Sequence, residues 1–190
     1  ASGEYIAFLD ADDAYAQNAL ETLYITAQMT GAEIVNGFAQ NVDDTFNFIP
    51  ATNAAFVPTG ISTFVKPGLF LAHNAPDQNW FWLWRRLYKR SVIGDLRFDL
   101  QLNDIGEDIG FTLNVTHRAR LMAEVPVVVT YHRMHFNSVS KRTSCPDCMA
   151  YLTVILNTAN SLIPHYEPMF WHIFYNMISD YIVRECVIKP

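Results

Sequence analysis

The sequence predicts an α/β fold with a mixed sheet flanked by helices, and three segments near its start carry this prediction. Residues 5–9 are an apolar run bounded by polar residues, which is typical of a short buried strand. Residues 18–30 have helical periodicity and stop at Gly31, and residues 33–40 have the pattern of the next strand. Strand, helix and strand in this order are the building block of a parallel sheet.

The rest of the chain continues this pattern and then becomes helical. We expect the following further elements: short β segments at 46–49 and 54–57, helices at 60–72 and 104–120, and a strand at 125–131. After Pro146 we expect two amphipathic helices, broken at Pro164 and Pro168. The predicted organisation is an α/β region over residues 1–142 and a helical extension over residues 143–190.

Length and composition narrow the class of protein. The 190 residues suffice for one domain, alone or with an extension, and 51% of them are hydrophobic, so a sizeable core can form. A net charge of −6 argues against nucleic acid as a partner, because nucleic-acid-binding surfaces are basic. No apolar run is long enough to cross a bilayer. Cys145 and Cys148 lack the second pair that a zinc site needs, so we expect these thiols and Cys186 to be free in a reducing cytoplasm.

Three carboxylates follow the first predicted strand, at Asp10, Asp12 and Asp13. In open α/β sheets, ligands bind beyond the carboxyl ends of the strands. Carboxylates crowded this closely repel one another unless a positive charge lies among them. Mg²⁺ and Mn²⁺ take oxygen ligands and commonly join one or two carboxylates to substrate phosphates. The sequence therefore predicts a site for a metal ion and a phosphate.

Other interpretations of the same carboxylates were weighed. A polar turn that caps the following helix stays open, since Asp is favoured at turns and helix N-termini. An EF-hand loop is excluded, because Tyr15 stands where the loop needs Gly and Ala14 stands where it needs a ligand. A phosphotransferase with Asp10 as its nucleophile is a weaker rival, because enzymes of the haloacid-dehalogenase type have Thr or Val in place of Ala14.

A second acidic pair, Glu107 and Asp108, begins the helix predicted at 104–120. Taken alone, the pair is explained by the helix dipole, since an acidic residue in the first turn stabilises a helix by about 0.3–1 kcal/mol. A functional interpretation of the pair depends on its position among the other motifs along the chain.

Five segments occur in an order that resembles family 2 glycosyltransferases of the GT-A fold. They are Gly-Glu-Tyr-Ile and the run to Asp13 at 3–13, Ala-Leu-Glu at 19–21, Trp-Arg-Arg-Leu-Tyr-Lys-Arg-Ser at 84–91, Gly-Glu-Asp-Ile-Gly-Phe at 106–111, and Tyr-His-Arg at 131–133 with the polar loop 137–140. The resemblance covers about residues 1–142. The ordered set, rather than any single motif, carries the resemblance.

The resemblance implies a bacterial-type, metal-dependent, inverting glycosyltransferase. Such an enzyme moves a sugar from a nucleotide diphosphate donor to a saccharide or lipid-linked acceptor in polysaccharide or surface-glycan assembly. Bound Mn²⁺ or Mg²⁺ neutralises the leaving pyrophosphate, and a carboxylate takes the proton of the attacking hydroxyl. One base and direct displacement give inversion at the anomeric carbon.

The resemblance also implies roles for single residues. Asp12 would bind the divalent cation, and Asp10 would contact the sugar nucleotide, or the metal through water. Asp13 would support the loop or the donor. Asp108 would be the general base, and Glu107 would position the acceptor.

Two basic residues after the last core strand are further candidates. His135, with His132 near it, is placed to supply a metal ligand, and a partly buried, hydrogen-bonded histidine is the alternative. Arg133 would contact the diphosphate, since the guanidinium fork suits phosphate oxygens.

Aromatic residues are dense in two places. Trp80, Trp82 and Trp84 alternate, so a strand would place all three on one face, where they fill core or stack on an acceptor sugar. The C-terminal helices lack the basic face of membrane-surface helices. We therefore expect them to pack in the core or in a homo-oligomer, with a peripheral contact to the inner face of the membrane as the alternative.

The chain departs from the family pattern at its start. Family members begin with further strand–helix units that hold the nucleotide base, whereas residues 1–4 are all that precedes the first strand here. We therefore expect a fragment that lacks the nucleotide-binding front, with weak donor binding or none, and an unpaired edge at residues 5–9. The rival from another class is a non-catalytic binding or interaction module in which the acidic sites are structural.

Overall fold

The computed structural model describes four parts of the chain and one isolated residue: residues 1–50, 59–65, 82–99 and 107–135, and Thr153. Two compact units are present. Among the described residues, 95–99 and 107–117 belong to the second unit, and the others up to 135 form the first. The helices expected after Pro146 lie outside the described residues. In the described part of the chain, no helix is long and apolar enough to span a membrane.

The first unit is built on one mixed sheet. Its six described strands are β1 Tyr5–Ala7, β2 Ala14–Tyr15, β3 Ile34–Val42, β4 Ser62–Phe64, β5 Arg86–Lys89 and β6 Met122–Arg133. The strand order is β1-β5-β3-β6-β2, and β4 also pairs with β6. β3 and β6 run parallel, and the other pairs are antiparallel. The predicted mixed sheet is therefore present, with the parallel pair at its centre.

The described helices are α1 Ala19–Thr30, α2 Arg90–Ile93 and α3 Glu107–Arg118, with a 3-10 turn at Leu83–Arg85. α1 confirms the helix predicted from the pattern of residues 18–30. It ends at Gly31, which has a left-handed φ of 73° and donates its N–H to the Ala27 carbonyl at 2.9 Å. Glycine adopts this conformation without steric cost, so it ends the helix where the sequence predicts.

The core of the first unit lies where α1 covers the sheet. Its buried members come from α1, β3, β5 and β6 and the segments beside them: Ala19, Leu23, Ala27, Ala32, Val35, Leu87, Ala123, Val125 and Val129. A close approach between the two central strands occurs at Gly37, where an added Cβ would lie 2.5 Å from Cγ1 of Val129. Only glycine leaves room for Val129 at this point of the sheet.

Three fully buried polar residues cross the middle of the sheet. Asn36 on β3 is the register partner of Arg86 on β5 and of Glu124 on β6. Its amide nitrogen donates to Glu124 Oε2 at 2.7 Å, and its amide oxygen accepts from Arg86 Nε at 3.0 Å. One asparagine amide thus bridges a cation and an anion that burial would otherwise make costly.

Two predictions about elements need correction, and the strand considered for the alternating tryptophans does not form at Leu83–Arg85. β1 ends at Ala7 rather than at residue 9, because the chain turns there into the acidic loop described below. The predicted helix at 60–72 is wrong where it is described, since Ser62–Phe64 is a strand that pairs with the first residues of β6. Leu83–Arg85 is a 3-10 turn rather than part of a strand.

The predicted strand–helix–strand unit is present, but its two strands are not neighbours in the sheet. β1 and β3 flank α1 in sequence, but β5 lies between them in the sheet and runs antiparallel to both. A late segment of the chain thus inserts between two early strands, which local sequence patterns do not reveal.

The described part of the second unit contains most of α3. This helix confirms the prediction for residues 104–120, with bounds Glu107–Arg118. The ring of Phe111 stacks on Phe98 with centroids 4.5 Å apart, and Leu113 and Val115 are buried.

Candidate metal and donor site

The acidic loop, residues 8–13, joins β1 to β2. It is held by hydrogen bonds near both ends. The Tyr15 hydroxyl donates to the Phe8 carbonyl at 2.7 Å, and the Asp13 N–H donates to the Asp10 carbonyl at 3.2 Å. Directly after the loop, β2 pairs with residues near the end of β6. The loop is therefore a fixed turn beside the carboxyl end of the last strand.

Asp13 fastens this loop to β6. Its side chain is fully buried, with an exposed fraction of 0%. Oδ1 accepts the backbone N–H of Arg133 at 2.8 Å, and Oδ2 lies 3.1 Å from Nδ1 of His132. Because an ionised carboxylate only accepts, the hydrogen of this second contact belongs to the imidazole. Of the two roles expected for Asp13, this geometry favours support of the loop.

The His132 ring is held from its other side by tryptophan. Trp84 stacks on His132 with centroids 4.9 Å apart, and Trp82 stacks on Trp84 at 4.8 Å. Trp84 is buried, and its carbonyl accepts the hydroxyl of Thr130 at 2.9 Å. Trp82 and Trp84 therefore share a side, as their spacing suggests, and Trp84 fills core. Trp80 lies outside the described residues.

Asp12 and His135 face each other at the outer side of the loop. Oδ2 of Asp12 lies 3.2 Å from Nε2 of His135, and their side chains are 50% and 30% exposed. Nδ1 of the same imidazole lies 2.5 Å from Oδ1 of Asp44. Both ring nitrogens therefore face carboxylates. A neutral imidazole has one N–H and one lone pair, so a second proton or a cation must lie between one nitrogen and its carboxylate.

The parallel pairing of β3 and β6 brings Asp44 to His135. Val42 at the end of β3 is in register with Arg133 at the end of β6, and the Met134 N–H donates to the Val42 carbonyl at 2.9 Å. Asp44 lies two residues after Val42, and His135 lies two residues after Arg133. Sequence reasoning missed Asp44, because the segment after β3 was treated as a loop. The rule applied to Asp10 would have found it, since Asp43 and Asp44 also follow a strand at the ligand-binding edge.

A tight turn over residues 43–47, the β3 turn, carries Asp44. The Asp43 carboxylate accepts from the Thr45 hydroxyl at 2.7 Å and from the backbone N–H groups of Thr45 and Asn47 at 2.8 and 2.9 Å. These bonds lower the pKa of Asp43 to about 2, with the Thr45 hydroxyl as the largest cause. The turn is therefore fixed by its own side chains.

The crowding of negative charge in the acidic loop affects the pKa of Asp10. Its pKa is raised, chiefly because the surrounding protein reduces the hydration of its carboxyl and also because the charges of Asp13 and Asp12 repel its own; His132 partly offsets this. The residue is exposed overall. A cation bound beside the loop would relieve this repulsion.

The residues present fit a divalent cation. Adjacent ligands of an octahedral ion with metal–ligand distances of about 2.1 Å lie about 3 Å apart, and the Asp12–His135 separation is 3.2 Å. No group of three or more His, Cys, Asp or Glu residues within the described ranges is arranged as a metal site. Mg²⁺-type sites often have only one or two protein carboxylates and take the remaining ligands from water and phosphates, so a two-residue site is chemically reasonable.

Arg133 lies beside the same loop. Its guanidinium carbon is 4.3 Å from the centroid of the Phe46 ring, in the β3 turn. Its Nε is buried and has no hydrogen-bond partner among the residues that the structure describes. Contact with an aromatic face suits a guanidinium and leaves its N–H groups able to donate to an anion.

The structure thus brings together Asp10, Asp12, Asp13, Arg133 and His135 in the first unit. Glu107 and Asp108 belong to the second unit, where they form the first turn of α3 and are half-buried.

Comparison with solved structures supports the fold. The chain is similar to S. aureus TarS 1–349 in complex with UDP-GlcNAc, with a TM-score of 0.61 and 16% identity over 97% of this chain and 49% of that one. For the complex of TarS 1–349 with UDP, the TM-score is 0.56 with 17% identity, over 83% and 41%. The chain therefore spans less than half the length of these relatives. At such identities the likeness shows the fold, and it confirms the predicted GT-A-like α/β architecture.

Sequence comparison points to the same family as the order of motifs. No curated protein is significantly similar to the chain. Residues 1–93 match the sequence model described as Glycosyl transferase family 2. This range includes the acidic loop and the β3 turn, whereas β6, which carries Arg133 and ends just before His135, lies beyond it. The match agrees with the order of motifs and with the fold, so the sequence of residues 1–93 is similar to that of glycosyl transferase family 2.

Proposed function

We propose that the chain is part of a metal-dependent, inverting glycosyltransferase. It would transfer a sugar from a nucleotide diphosphate donor to a saccharide or lipid-linked acceptor. The observation that carries the proposal is the Asp12–His135 pair, 3.2 Å apart, beside the crowded carboxylate of Asp10 in a family 2 domain. The complexes of TarS with UDP and UDP-GlcNAc support a nucleotide-sugar donor and make UDP the first nucleotide to test.

On the donor side of the reaction, the negative charge of the leaving diphosphate must be neutralised. Asp12 and His135 would hold Mn²⁺ or Mg²⁺, and the bound ion would neutralise the diphosphate as it leaves. Arg133, with its buried Nε beside the loop, would donate to a phosphate oxygen. Asp10 would accept a hydrogen bond from the sugar or from a water on the ion. Asp13 would keep the loop in place through its contacts with β6.

The acceptor side needs a base. Asp108 would take the proton of the acceptor hydroxyl as its oxygen bonds to the anomeric carbon, while the bond to the diphosphate breaks on the opposite face. Glu107 would hold the acceptor. Both side chains are half-buried in the first turn of α3, so they keep some access to solvent and ligand. One base and one displacement give inversion.

A non-catalytic binding module is the second candidate. It is favoured by the structural partners of two of the carboxylates. Asp13 is buried against Arg133 and His132, and Asp43 is fully used in its own turn. In that case the acidic residues stabilise the loops, and neither a metal ion nor a nucleotide needs to bind.

Calorimetric titration of UDP separates the two candidates. It is run with Mn²⁺ and with chelator, on the unmodified chain, on Asp12→Ala and on Glu21→Ala, an exposed carboxylate on α1, as the matched control. Binding that needs Mn²⁺ and is lost only in Asp12→Ala supports the glycosyltransferase. If UDP, GDP, CDP and ADP all fail to bind in Mn²⁺, to this chain and to a longer protein that contains it, the proposal is wrong and the binding module is favoured.

A further inference from the structure

We propose that Asp44 is a positioning residue for the cation. In this proposal, which rests on the function proposed above, its carboxylate fixes the His135 ring and keeps the proton on Nδ1, so that the Nε2 lone pair faces the ion together with Asp12.

Each ring nitrogen of His135 faces its own carboxylate. Nδ1 lies 2.5 Å from Asp44 and Nε2 lies 3.2 Å from Asp12. In this proposal Nδ1–H donates to the nearer carboxylate, as charge-assisted hydrogen bonds are short. The Nε2 lone pair then points at Asp12, where a cation can lie between the two atoms. Histidines that bind metals commonly donate their other N–H to a carboxylate, which fixes the tautomer and raises the basicity of the ligand.

The backbone that carries Asp44 is tied to the backbone that carries His135. The Met134 N–H, one residue before His135, donates at 2.9 Å to the Val42 carbonyl, two residues before Asp44. Just beyond the β3 turn, Phe48 stacks on Tyr131 with centroids 5.8 Å apart. The Asp44 side chain is 69% exposed, yet it reaches Nδ1 because both ends of its turn are held. The contact is therefore set by the fold rather than by a flexible surface side chain.

Loss of Asp44 should weaken cation binding without removing a ligand. Without a carboxylate at Nδ1, the imidazole proton moves to Nε2, where Asp12 accepts it. That proton then occupies the place of the cation and must leave before the ion binds. Replacing such an outer carboxylate commonly weakens metal affinity by about 10- to 100-fold, so we expect a fall of at least about tenfold in Asp44→Ala.

Two measurements on the intact chain test this inference. Electron paramagnetic resonance of free Mn²⁺, without nucleotide, gives the affinity for the unmodified chain and for Asp44→Ala, Asp44→Asn, Asp12→Ala and Glu21→Ala. We expect Asp12→Ala to abolish binding, Asp44→Ala to weaken it, Asp44→Asn to recover part of it through its acceptor oxygen, and the Glu21→Ala control to bind normally. Circular dichroism confirms that each variant is folded.

Long-range ¹H–¹⁵N spectra at pH 8 report the His135 tautomer without any metal. We expect Nδ1–H in the unmodified chain and a shift towards Nε2–H in Asp44→Ala. If Mn²⁺ binds through Asp12 while Asp44→Ala changes neither affinity nor tautomer, the inference is wrong and the proposed function stands. If the unmodified chain binds no Mn²⁺, the metal step of the proposed function fails, and the role of Asp44 towards a cation fails with it; the tautomer spectra show whether the Asp44–His135 contact itself is real.

Discussion

The buried carboxylate of Asp13 and the imidazole of His132 lie 3.1 Å apart and join the acidic loop to the last strand of the sheet. The neighbouring Asp12, one residue earlier, is half exposed and faces outward to His135. Adjacent carboxylates in one motif therefore have different environments, and substitutions at the two positions should have different consequences.

We expect Asp13→Ala to destabilise the fold. It removes the acceptor of the Arg133 N–H and of His132, and an unsatisfied buried polar group costs about 1–3 kcal/mol. Asp12→Ala removes an exposed side chain and should change the free energy of unfolding by less than about 0.5 kcal/mol. Urea denaturation of both variants measures the difference. Equal stability of the two variants would show that the buried contact does not hold the loop.

Asp10 should reduce stability at neutral pH. Its folded-state pKa is raised, so its contribution to stability is fully present below the unfolded pKa and is lost as pH rises through the folded value. Asp10→Asn removes the charge and should stabilise the chain at pH 7, by at most about 1 kcal/mol because solvent screens this exposed site.

Urea denaturation from pH 3 to pH 7 tests this sign. The advantage of Asp10→Asn should disappear below the ordinary aspartate pKa of 3.8, where the natural residue is also neutral. Glu21→Gln on α1 is the control and should show no such pH-dependent gain. A destabilising effect of Asp10→Asn at pH 7 would mean that Asp10 makes a favourable contact as an anion.

Asn36 should be among the residues least tolerant of replacement. It bonds both Arg86 and Glu124 in the middle of the sheet, and hydrogen bonds to charged groups contribute about 1.5–3 kcal/mol each. Asn36→Leu should therefore lower the free energy of unfolding by about 3 kcal/mol or more. Asn41→Leu, a half-buried site on the same strand, is the control in urea denaturation. A small loss in Asn36→Leu would show that the two ionised side chains do not depend on the amide.

Local pattern was enough to predict α1, β3, α3 and β6, because each is a continuous segment with its own periodicity and end signals. It failed where a distant strand decides the structure. Ser62–Phe64 becomes a strand because the first residues of β6 offer it a partner, and β5 separates β1 from β3 because it pairs with both.

The same limit applies to the site. Asp10, Asp12 and Asp13 are visible in the sequence as one motif. Asp44 follows a strand as Asp10 does, but its contact with His135 becomes evident only once β3 and β6 are known to be parallel and in register. A side chain that acts through another residue has no motif of its own.

Gly37 should not accept a side chain unless Val129 is shortened. The added Cβ would lie 2.5 Å from Val129 Cγ1, and overpacking of this kind costs about 1–3 kcal/mol. Gly60→Ala is the control, because an added Cβ there meets nothing within 4 Å. In the double variant Gly37→Ala/Val129→Ala, the clash is relieved, so the measured loss should be smaller than the sum of the two single losses. Additive losses in urea denaturation would contradict the close packing of these strands.

Mn²⁺ and UDP should each strengthen the binding of the other, if the proposed function holds. Asp12 and His135 offer the ion two ligands, so phosphate oxygens complete its coordination and are bound more tightly in return. Linkage requires the same factor in both directions. We expect calorimetry to give a Kd for UDP that falls at least about fivefold with saturating Mn²⁺, and a Kd for Mn²⁺ that falls by the same factor with saturating UDP. Asp12→Ala should remove this coupling, whereas Glu21→Ala should keep it. Binding of UDP that is equally strong in Mn²⁺ and in chelator would place the nucleotide elsewhere and would separate Asp12 from the donor.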